Sequence, residues 1–469
     1  MEPIQFVLNG KPTQVAGIDP HVTLLEYLRG QNMTGTKEGC GEGECGACAV
    51  ALVVKGQDGK LRYEVVNSCL VLLVEVAGKE VITVEGLGEP SALHPVQEAM
   101  AQGGASQCGY CTPGFVMSLF AEYYREGRGT GFDPEAISGN LCRCTGYRPI
   151  RDAGRCMATP AQGDPFLERL GGSLPPLPRV HVEHGGRRFY RPRALKDLFG
   201  LMKSEPEAKL IAGGTDVTVE ITQRHARFPA LISLEGLEEL RVLERTPEFL
   251  EIGAGIPLRE LEERLHGELP LFDELFPLFA SRMIRSRATL GGNLVNASPI
   301  GDSAPVLLAL DARVRLASAQ GERVVPLSSF FVGYRKTALA PGEIMASVRV
   351  PRPFPEVSRF YKVSKRKLDD ISTVAAAFAL SFDRAGRISQ ARLAYGGVGP
   401  TPARATDAES CLVGMTWGEE AMRKARGALA TAFQPISDHR GSANYRREMI
   451  VKLFEKFHAE HKGGTSCAS

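Results

Sequence analysis

The sequence predicts an α+β chain of several domains, and three observations support that fold class. The chain has 469 residues, whereas a single domain usually has roughly 150. Strand-like segments dominate residues 1–88, helix-start signals dominate residues 89–158, and both types follow residue 180. A stretch rich in proline and glycine, residues 159–180, predicts a linker between the first two regions and the rest.

The composition excludes several classes of protein. Hydrophobic residues make up 43% of the chain and the net charge is +2, so nothing indicates a nucleic-acid partner. The sequence begins without a signal-peptide pattern and has no run of ~20 apolar residues that would span a membrane. The eleven cysteines cluster in the first third. We therefore expect a cytoplasmic protein that uses cysteine as a metal ligand and not in disulfides.

The first group of cysteines has the spacing of an iron–sulfur site. Cys40, Cys45 and Cys48 follow a C-x4-C-x2-C pattern, and Cys69 is the candidate fourth ligand. This pattern is typical of plant-type [2Fe–2S] clusters. Intervening glycines allow the positive φ angles that a tightly wrapped loop needs. A structural zinc site is the alternative, but it usually has two matching C-x2-4-C pairs.

Residues 1–88 are predicted to form a small sheet with one helix. Asn9-Gly10 between two short apolar runs is a type I′ hairpin signal. The predicted strands are Ile4–Leu8, Thr13–Ala16, Ala47–Val54, Tyr63–Val66 and Val81–Val84, and the predicted helix is Thr23–Leu28. With its cysteine loop, this region resembles the β-grasp fold of ferredoxins.

The second group of cysteines lies among predicted helices in residues 89–158. Helix starts are expected at Ser91, at Thr112-Pro113 and at Asp133-Pro134. The cysteines form a C-x2-C pair and a C-x-C pair: Cys108 and Cys111, Cys142 and Cys144. Two ligands one residue apart are awkward for tetrahedral zinc, but they can bind one iron of a second [2Fe–2S] cluster.

Three motifs together resemble the xanthine oxidase family of molybdenum hydroxylases. They are Glu38–Cys48 (EGCGEGECGAC), Ser106–Gly114 (SQCGYCTPG) and Gly139–Pro149 (GNLCRCTGYRP). The resemblance implies a helical-bundle [2Fe–2S] domain whose cluster lies near a molybdopterin. It also implies that the first cluster lies between the second cluster and a flavin. By the same resemblance, Gln107 would contact the pterin across a subunit boundary.

Two glycine turns, Lys209–Val217 and Arg287–Leu294, extend the resemblance. Either turn alone would most often be an ordinary loop, although consecutive amides can bind an anion. Together they are similar to the family's FAD domain, which has the vanillyl-alcohol-oxidase type of fold. The resemblance implies FAD contacts at Leu210, Ile211, Ala212, Gly213, Gly214, Thr215, Asp216, Phe279, Thr289, Leu290, Gly291, Gly292, Asn293, Asp302, Ile344 and Lys362.

The predicted domains run in order along the chain. They are a ferredoxin-like domain (1–88), a helical cluster domain (89–158), the linker (159–180), an FAD-binding domain (181–349) and a C-terminal α+β flavoprotein domain (350–460). In the last domain we expect strands at Ile371–Phe382 and Gln390–Tyr395, and helices at Gly418–Phe433 and Asn444–His458. Cys156, Cys411 and Cys467 have no spaced partners and are expected to bind nothing.

The fused cluster and flavin parts resemble the small subunit of bacterial xanthine dehydrogenases. That resemblance implies electron transfer from a molybdopterin-binding large subunit, where hypoxanthine and xanthine are hydroxylated to urate, through both clusters to FAD and then to NAD⁺. Because the chain ends before any molybdopterin domain, we expect a separate partner chain. The expected assembly is a heterotetramer of two small and two large subunits.

Three alternatives remain at this point. The chain could serve another molybdenum hydroxylase with a non-purine substrate, or it could be an electron-transfer module without catalysis of its own. It could also be a scaffold held by zinc. A visible spectrum separates the last alternative, because a zinc scaffold is colourless whereas flavin and iron–sulfur groups absorb.

Overall fold

The computed structural model describes residues 3–56 and 58–461, which form two compact units. The first unit runs to Glu238 and also contains Ser281–Ala288. The second unit contains Glu239–Ala280 and the chain from Thr289 onwards. Within the described ranges, no helix is long and apolar enough to cross a membrane.

The first unit begins with a five-stranded mixed sheet and one helix. The elements are β1 (Ile4–Leu8), β2 (Lys11–Val15), α1 (Leu24–Gly30), β3 (Ala49–Lys55), β4 (Leu61–Asn67) and β5 (Glu80–Ile82). The strand order is β2-β1-β5-β3-β4, with only β1 and β5 parallel. Asn9 and Gly10 have φ angles of 50° and 75°, as a type I′ turn requires. Thr23 caps α1 through a capping box with Glu26. The expected ferredoxin-like fold is confirmed.

A helical region follows in the same unit. Its helices are α2 (Pro95–Gln102), α3 (Thr112–Tyr123), α4 (Tyr147–Cys156) and α5 (Pro165–Leu170). Ser91 does not start α2, because the side chain of His94 caps that helix by accepting from the amide of Val96. Asp133-Pro134 starts only a short 3₁₀ turn, Pro134–Ile137.

Residues 159–180 are packed more closely than their composition predicts. Asp164 caps α5, and Phe166 lies in an aromatic cluster with Tyr63. The Tyr63 hydroxyl donates to the Phe166 carbonyl oxygen at 2.8 Å. Arg169 Nε donates to Glu80 at 2.7 Å. These side-chain contacts dock the middle of the predicted linker, and the proline and glycine content did not indicate them.

The first unit ends with a second sheet. Its elements are β6 (Val180–His184), β7 (Arg187–Arg191), α6 (Leu195–Ser204), β8 (Lys209–Ile211), α7 (Val217–Gln223) and β9 (Ala230–Ser233). The strand order is β6-β7-β9-β8. Buried residues of this sheet, such as Phe189 and Leu231, share one hydrophobic core with Phe6 and Val50 of the first sheet. Both sheets therefore stabilise each other.

The second unit contains a five-stranded sheet and a four-stranded sheet. The first sheet and its neighbours comprise β10 (Leu243–Arg245), β11 (Phe249–Gly253), α8 (Leu258–Arg264), α9 (Pro270–Leu275), α11 (Leu290–Val295), α12 (Ser303–Ala309), β12 (Arg313–Ser318), β13 (Gly321–Pro326) and β16 (Ile344–Pro351). Helix α10 (Arg282–Arg285) belongs to the first unit. The strand order is β10-β11-β16-β12-β13, and a hairpin of β14 (Phe331–Gly333) and β15 (Lys336–Thr337) follows β13.

The C-terminal part of the second unit is a four-stranded antiparallel sheet covered by helices. Its elements are β17 (Val357–Val363), β18 (Val374–Phe382), β19 (Ile388–Gly396), β20 (Ala403–Arg404), α13 (Thr406–Leu412), α14 (Glu419–Leu429) and α15 (Ala443–Glu460). Phe378 of β18 packs against Phe454 and Phe457 of α15. The expected α+β character of this region is confirmed. Cys467 lies outside the described residues.

His94 makes the stability of the helical region depend on pH. Its Nε2 lies 2.9 Å from the Tyr124 hydroxyl, and burial lowers the pKa of His94 to about 4. An unfolded histidine has a pKa near ~6.5, so below that pH the unfolded chain binds a proton that the folded chain does not. The histidine therefore costs stability as the pH falls. We expect a loss of about 1.5 kcal/mol between pH 6.5 and pH 5.

The prediction is measured by urea unfolding of the chain at both pH values. His94→Gln should remove that part of the pH dependence, because no imidazole is left to titrate. His266→Gln is the matched control, since the His266 side chain is 84% exposed. An unchanged pH dependence in the His94 variant would contradict the prediction.

Candidate functional site

The first group of cysteines converges at one end of the first sheet. Cys48 directly precedes β3 and Cys69 follows β4, in a 3₁₀ turn at Ser68–Leu70. Because β3 and β4 pair with Ala49 opposite Asn67, the Sγ atoms of Cys48 and Cys69 come within 3.3 Å. Cys40 and Cys45 lie in the preceding loop, where their thiols hydrogen-bond each other. The structure thus brings the four cysteines together as two pairs.

In each pair the electrostatics favour a thiolate at one of the two cysteines. The hydrogen bond from Cys45 lowers the pKa of Cys40 to about 5, and the backbone amide of Glu42 adds to that effect. The hydrogen bond from Cys69 likewise lowers the pKa of Cys48, although burial opposes it. In each pair the partner's pKa is raised, because the two sulfurs share a proton. A bound metal would displace that proton.

The second group of cysteines also forms two pairs, at the start of α3 and in the loop before α4. Cys108 pairs with Cys144, and Cys111 pairs with Cys142. Burial and the neighbouring Cys142 raise the pKa of Cys111 to about 12. The backbone amide of Gly146 donates to Cys142 Sγ at 3.3 Å, a contact of the kind that tunes cluster potentials.

The thiol pairing links the two cysteine motifs of the second group, whereas the binding of Cys142 and Cys144 to one iron stays a prediction. Cys142 and Cys144 lie only one residue apart, but their thiols have different partners. Cys142 pairs with Cys111, and Cys144 pairs with Cys108. Each iron of a [2Fe–2S] cluster takes two cysteines. The paired arrangement fits [2Fe–2S] clusters better than a zinc site with four donors at one ion.

A direct backbone contact joins the two groups. The amide of Leu141 donates to the carbonyl oxygen of Cys45 at 3.0 Å, and Asn140 Nδ2 donates to the carbonyl oxygen of Gly46 at 3.2 Å. Leu141 directly precedes Cys142 in the chain. One hydrogen bond and a few covalent bonds therefore connect a ligand of the first group with a ligand of the second.

Gln107 lies at the surface beside the second group. Its Nε2 donates to the carbonyl oxygen of Cys144 at 3.3 Å. The residue lines a shallow depression together with Cys108, Cys111, Cys142 and Cys144. Cys108 is exposed, so this face can approach another molecule.

The first glycine turn, in the first unit, joins β8 to α7. Leu210 and Ile211 end the strand, and Ala212 leads into the turn. The backbone amides of the next four residues find no acceptor within the described ranges: Gly213, Gly214, Thr215 and Asp216. Successive free amides suit an anion such as a phosphate. This turn therefore fits the pyrophosphate of a dinucleotide.

The second glycine turn, in the second unit, starts α11. Thr289 caps the helix by accepting from the amide of Gly292 at 3.1 Å. Leu290 is buried, and Gly291 is pressed against Ala254, where a Cβ would lie 2.6 Å from the alanine Cβ. Asn293 Oδ1 accepts from the Ser303 hydroxyl.

Also in the second unit, Asp302 and Lys362 form a buried ion pair. Lys362 Nζ lies 2.9 Å from Asp302 Oδ2 and donates to the Leu278 carbonyl oxygen at 2.7 Å. The side chains are only 6% and 3% exposed. Ser372, which the sequence did not single out, donates to the other carboxylate oxygen at 2.6 Å. The remaining expected FAD contacts are Phe279, which follows a 3₁₀ turn, and Ile344, which begins β16.

Sequence patterns missed a second set of contacts around the first cysteine loop. Thr222 Oγ1 donates to the Gly41 carbonyl oxygen at 2.8 Å, and Gln223 Nε2 donates to that of Cys40 at 2.9 Å. Both donors end α7, more than 180 residues along the chain from their acceptors. No local motif identifies a partner at that distance.

Four family models match the chain in succession. They are described as a 2Fe-2S iron-sulfur cluster binding domain (residues 6–74), a [2Fe-2S] binding domain (83–155), an FAD binding domain in molybdopterin dehydrogenase (183–353) and a CO dehydrogenase flavoprotein C-terminal domain (359–461). The chain therefore contains two [2Fe–2S] domains and an FAD-binding domain. The expected cluster and FAD cofactors are confirmed at this level.

Similar curated proteins are xanthine dehydrogenases. Those of Emericella nidulans and Arabidopsis thaliana (xanthine dehydrogenase 1) are 36% and 34% identical over 97% and 93% of this chain. The xanthine dehydrogenase/oxidase of Rattus norvegicus is 31% identical over 97%. The chain fits the iron–sulfur/FAD part of the xanthine oxidase family. It spans only 38% of the length of each of these relatives.

Solved structures of two oxidoreductases resemble part of the chain. A Cu,Mo-CO dehydrogenase chain superposes with a TM-score of 0.55 and 28% identity, covering 59% of this chain and 98% of that one. Quinoline 2-oxidoreductase from Pseudomonas putida 86 superposes with a TM-score of 0.53 and 26% identity, and the match covers 58% of this chain and 96% of that one. Together with the family models, these results support an iron–sulfur/FAD electron-transfer module of the xanthine oxidase family.

The thiol pairs predict two separable clusters. We expect about four irons and four acid-labile sulfides per chain. Cys48→Ser should remove one electron paramagnetic resonance signal and spare the other, whereas Cys142→Ser should do the reverse. Cys156→Ser is the matched control, because this exposed cysteine ends α4 outside both groups of cysteines. Loss of both signals in either ligand variant, in a folded protein, would contradict two independent sites.

The close backbone approach at Gly46 predicts a strong steric effect. Gly46 has φ +65°, and a Cβ there would lie 2.4 Å from the Gly139 carbonyl oxygen. Gly46→Ala should therefore destabilise the chain by at least about 2 kcal/mol more than Gly127→Ala. Gly127 has φ +67° and nothing within 4 Å, so it carries the same backbone strain without the clash. Thermal unfolding followed by cluster absorbance measures the difference, and equal effects would refute it.

Proposed function

We propose that the chain is the electron-transfer and NAD-reducing subunit of a xanthine dehydrogenase. Its partner would be a separate molybdopterin-binding large subunit, which hydroxylates hypoxanthine and xanthine to urate. Electrons would reach NAD⁺ by way of the two clusters and FAD. We further propose a cytoplasmic heterotetramer of two small and two large subunits, in keeping with cysteines used as ligands.

One observation carries this proposal. The hydrogen bond from Leu141 to Cys45 joins the two thiol groups through the backbone, so electrons that enter at one group have a short route to the other. The iron–sulfur and flavin groups supply the redox chemistry when bound. The chain's own residues supply position and hydrogen bonds to sulfur.

The described residues also support a direction of transfer. Cys108 and Gln107 lie at an exposed depression, where a partner molecule can come close. Cys48 and Cys69 are buried and have no comparable access. The second group is therefore the proposed entry point, and the first group is the proposed intermediate between it and the flavin.

A second candidate function is the same role for a non-purine substrate. The structural likeness to CO dehydrogenase and quinoline 2-oxidoreductase, at 28% and 26% identity, favours it. The xanthine dehydrogenases are 31–36% identical over more than 90% of the chain, which favours the purine assignment.

The proposal predicts a division of labour that purified protein can test. The chain alone should oxidise NADH with an artificial acceptor, because the proposed flavin residues all lie within it. It should not oxidise xanthine. Addition of the molybdopterin-binding partner should establish electron flow from xanthine to NAD⁺. Xanthine oxidation by the isolated chain would overturn the assignment, and flow from a non-purine substrate alone would select the second candidate.

The same assay with Gln107→Ala tests whether Gln107 lies at the boundary with the proposed partner subunit. It should lower the xanthine-to-NAD⁺ rate at least about tenfold and leave the NADH-to-acceptor rate within about twofold. Gln102→Ala is the matched control, since the Gln102 side chain is exposed and donates to Glu98 of its own helix. Equal loss of both rates in the Gln107 variant would indicate a folding effect.

A further inference from the structure

Five ionisable side chains form a buried cluster in the first unit. They are Glu75, Lys79, Arg191, Glu235 and Arg287. Arg287 is at the centre, because its two terminal nitrogens donate to Glu75 at 2.9 Å and to Glu235 at 2.6 Å. Lys79 Nζ donates to the same Glu235 oxygen at 2.6 Å. The side chain of Glu75 is 0% exposed and that of Arg287 is 8% exposed.

Arg287 and Glu235 stabilise each other's charge, whereas burial raises the pKa of Glu75 and lowers that of Lys79 to about 8. Burial alone would lower the pKa of Arg287, but the carboxylates of Glu235 and Glu75 raise it above its usual value. Burial would raise the pKa of Glu235, but Arg287, Lys79 and Arg191 outweigh it and lower that pKa. Arg287 and Glu235 therefore both carry charge at neutral pH.

Arg287 also contacts the first glycine turn directly. Its Nε donates to the Gly213 carbonyl oxygen at 3.3 Å. The backbone carbonyl oxygen of Arg287 lies only 1.7 Å from the position that a Cβ on Gly213 would occupy. Side chain and backbone of one residue thus set the place of the turn whose amides fit a pyrophosphate.

The same turn touches the segment that carries Cys69. A Cβ on Gly214 would lie 3.0 Å from the Leu70 carbonyl oxygen and 3.5 Å from Glu75 Oε2. The Glu75 carboxylate accepts from the Leu72 amide at 3.2 Å, which holds the chain just after Cys69. Through Glu75, Arg287 is therefore connected to a ligand segment of the first thiol group.

Stability alone is a weak reason for such a cluster. Removal of charges from water costs several kcal/mol per ion, and well-packed apolar side chains often replace a buried ion pair without loss. A guanidinium, however, presents several donors in a rigid plane and so fixes the geometry of its acceptors. The placement of the glycine turn and the Cys69 segment therefore explains the cluster better than stability does.

We propose that Arg287 is a positioning residue that sets the Gly213–Asp216 turn against the Cys69 segment. The inference rests on the proposed function, which assigns this turn to FAD. FAD affinity and the potential of the first cluster then depend on the same guanidinium. Reduction makes a cluster more negative, so loss of a nearby buried cation disfavours the reduced form and lowers the midpoint potential.

The test uses the full chain with Arg287→Met and Arg287→Lys. FAD dissociation is measured by flavin fluorescence, and the midpoint potential of each cluster by redox titration with electron paramagnetic resonance. Arg287→Met should raise the FAD Kd at least tenfold, lower the first cluster's potential and leave the second cluster unchanged. Arg287→Lys keeps the charge but loses the planar fork, so it should raise the Kd severalfold with a smaller potential shift.

Arg128→Met is the matched control. Arg128 is 6% exposed and donates to the carbonyl oxygens of Met157 and Ala158 in the helical region. The Arg128→Met variant therefore loses a guanidinium that is buried to a similar extent but lies in the helical region, away from the turn. FAD affinity and both potentials should stay at their original values. Glu75→Gln combined with Arg287→Met should give less than the sum of the single effects, because both variants break one contact.

The outcomes separate this inference from the proposed function. Unchanged FAD Kd and first-cluster potential in folded Arg287 variants would overturn the positioning role. Equal shifts of both clusters would also overturn it, since they indicate general loosening. Should Arg287→Met fail to fold, Arg287→Lys decides by the same criteria. Two other results would instead show that the flavin assignment of the turn is wrong. One is that the original chain binds no FAD, and the other is that the Gly213→Ala variant binds FAD with the same Kd as the original chain.

Discussion

The approach of two backbones at Gly46 is the constraint on which both cysteine groups depend. A Cβ at this position would meet the Gly139 carbonyl oxygen and the Asn140 amide group, and a Cβ on Gly114 of α3 would lie 2.2 Å from the Gly46 carbonyl oxygen. Glycine at both positions lets the first loop lie directly on the helical region. The hydrogen bond between Leu141 and Cys45 follows from that contact.

Further along the chain, α7 also contacts the loop of the first cysteine group. Its first turn follows the free amides of the glycine turn, and its last residues donate to the carbonyl oxygens of Cys40 and Gly41. A seven-residue helix is only about 10 Å long. The short helix α7 thus fixes the glycine turn relative to the Cys40 loop, and the buried charges around Arg287 fix the same turn relative to the Cys69 segment. Distance control of this kind is what the protein contributes when cofactors supply the chemistry.

Much of this arrangement was predictable where its signals are local. The spacing of Cys40, Cys45 and Cys48 identified a cluster loop, and Asn9-Gly10 identified a hairpin, because short-range geometry decides both. The cofactor classes followed from whole motifs and their resemblance to a family. The individual FAD contacts and the domain boundaries stay predictions.

The rest depends on tertiary packing that no local pattern reports. Glu75 and Arg287 are 212 residues apart, so neither signals the other. His94 replaces Ser91 as a helix cap because its ring reaches the Val96 amide from a buried site. The C-x-C motif sends its two thiols to different partners, which spacing alone did not reveal. The apolar and aromatic contacts of Phe166 dock a stretch whose composition suggested a free linker.

The shared core of the two sheets in the first unit makes the peptide link between them dispensable. Phe189 and Leu231 pack with Phe6 and Val50, whereas Gly171, Gly172 and Ser173, between α5 and β6, are exposed. A break in the chain at these three residues would leave the apolar contact and the buried charges intact. A gene split at this point would encode two polypeptides that still share this interface, and their assembly would then depend on their concentrations.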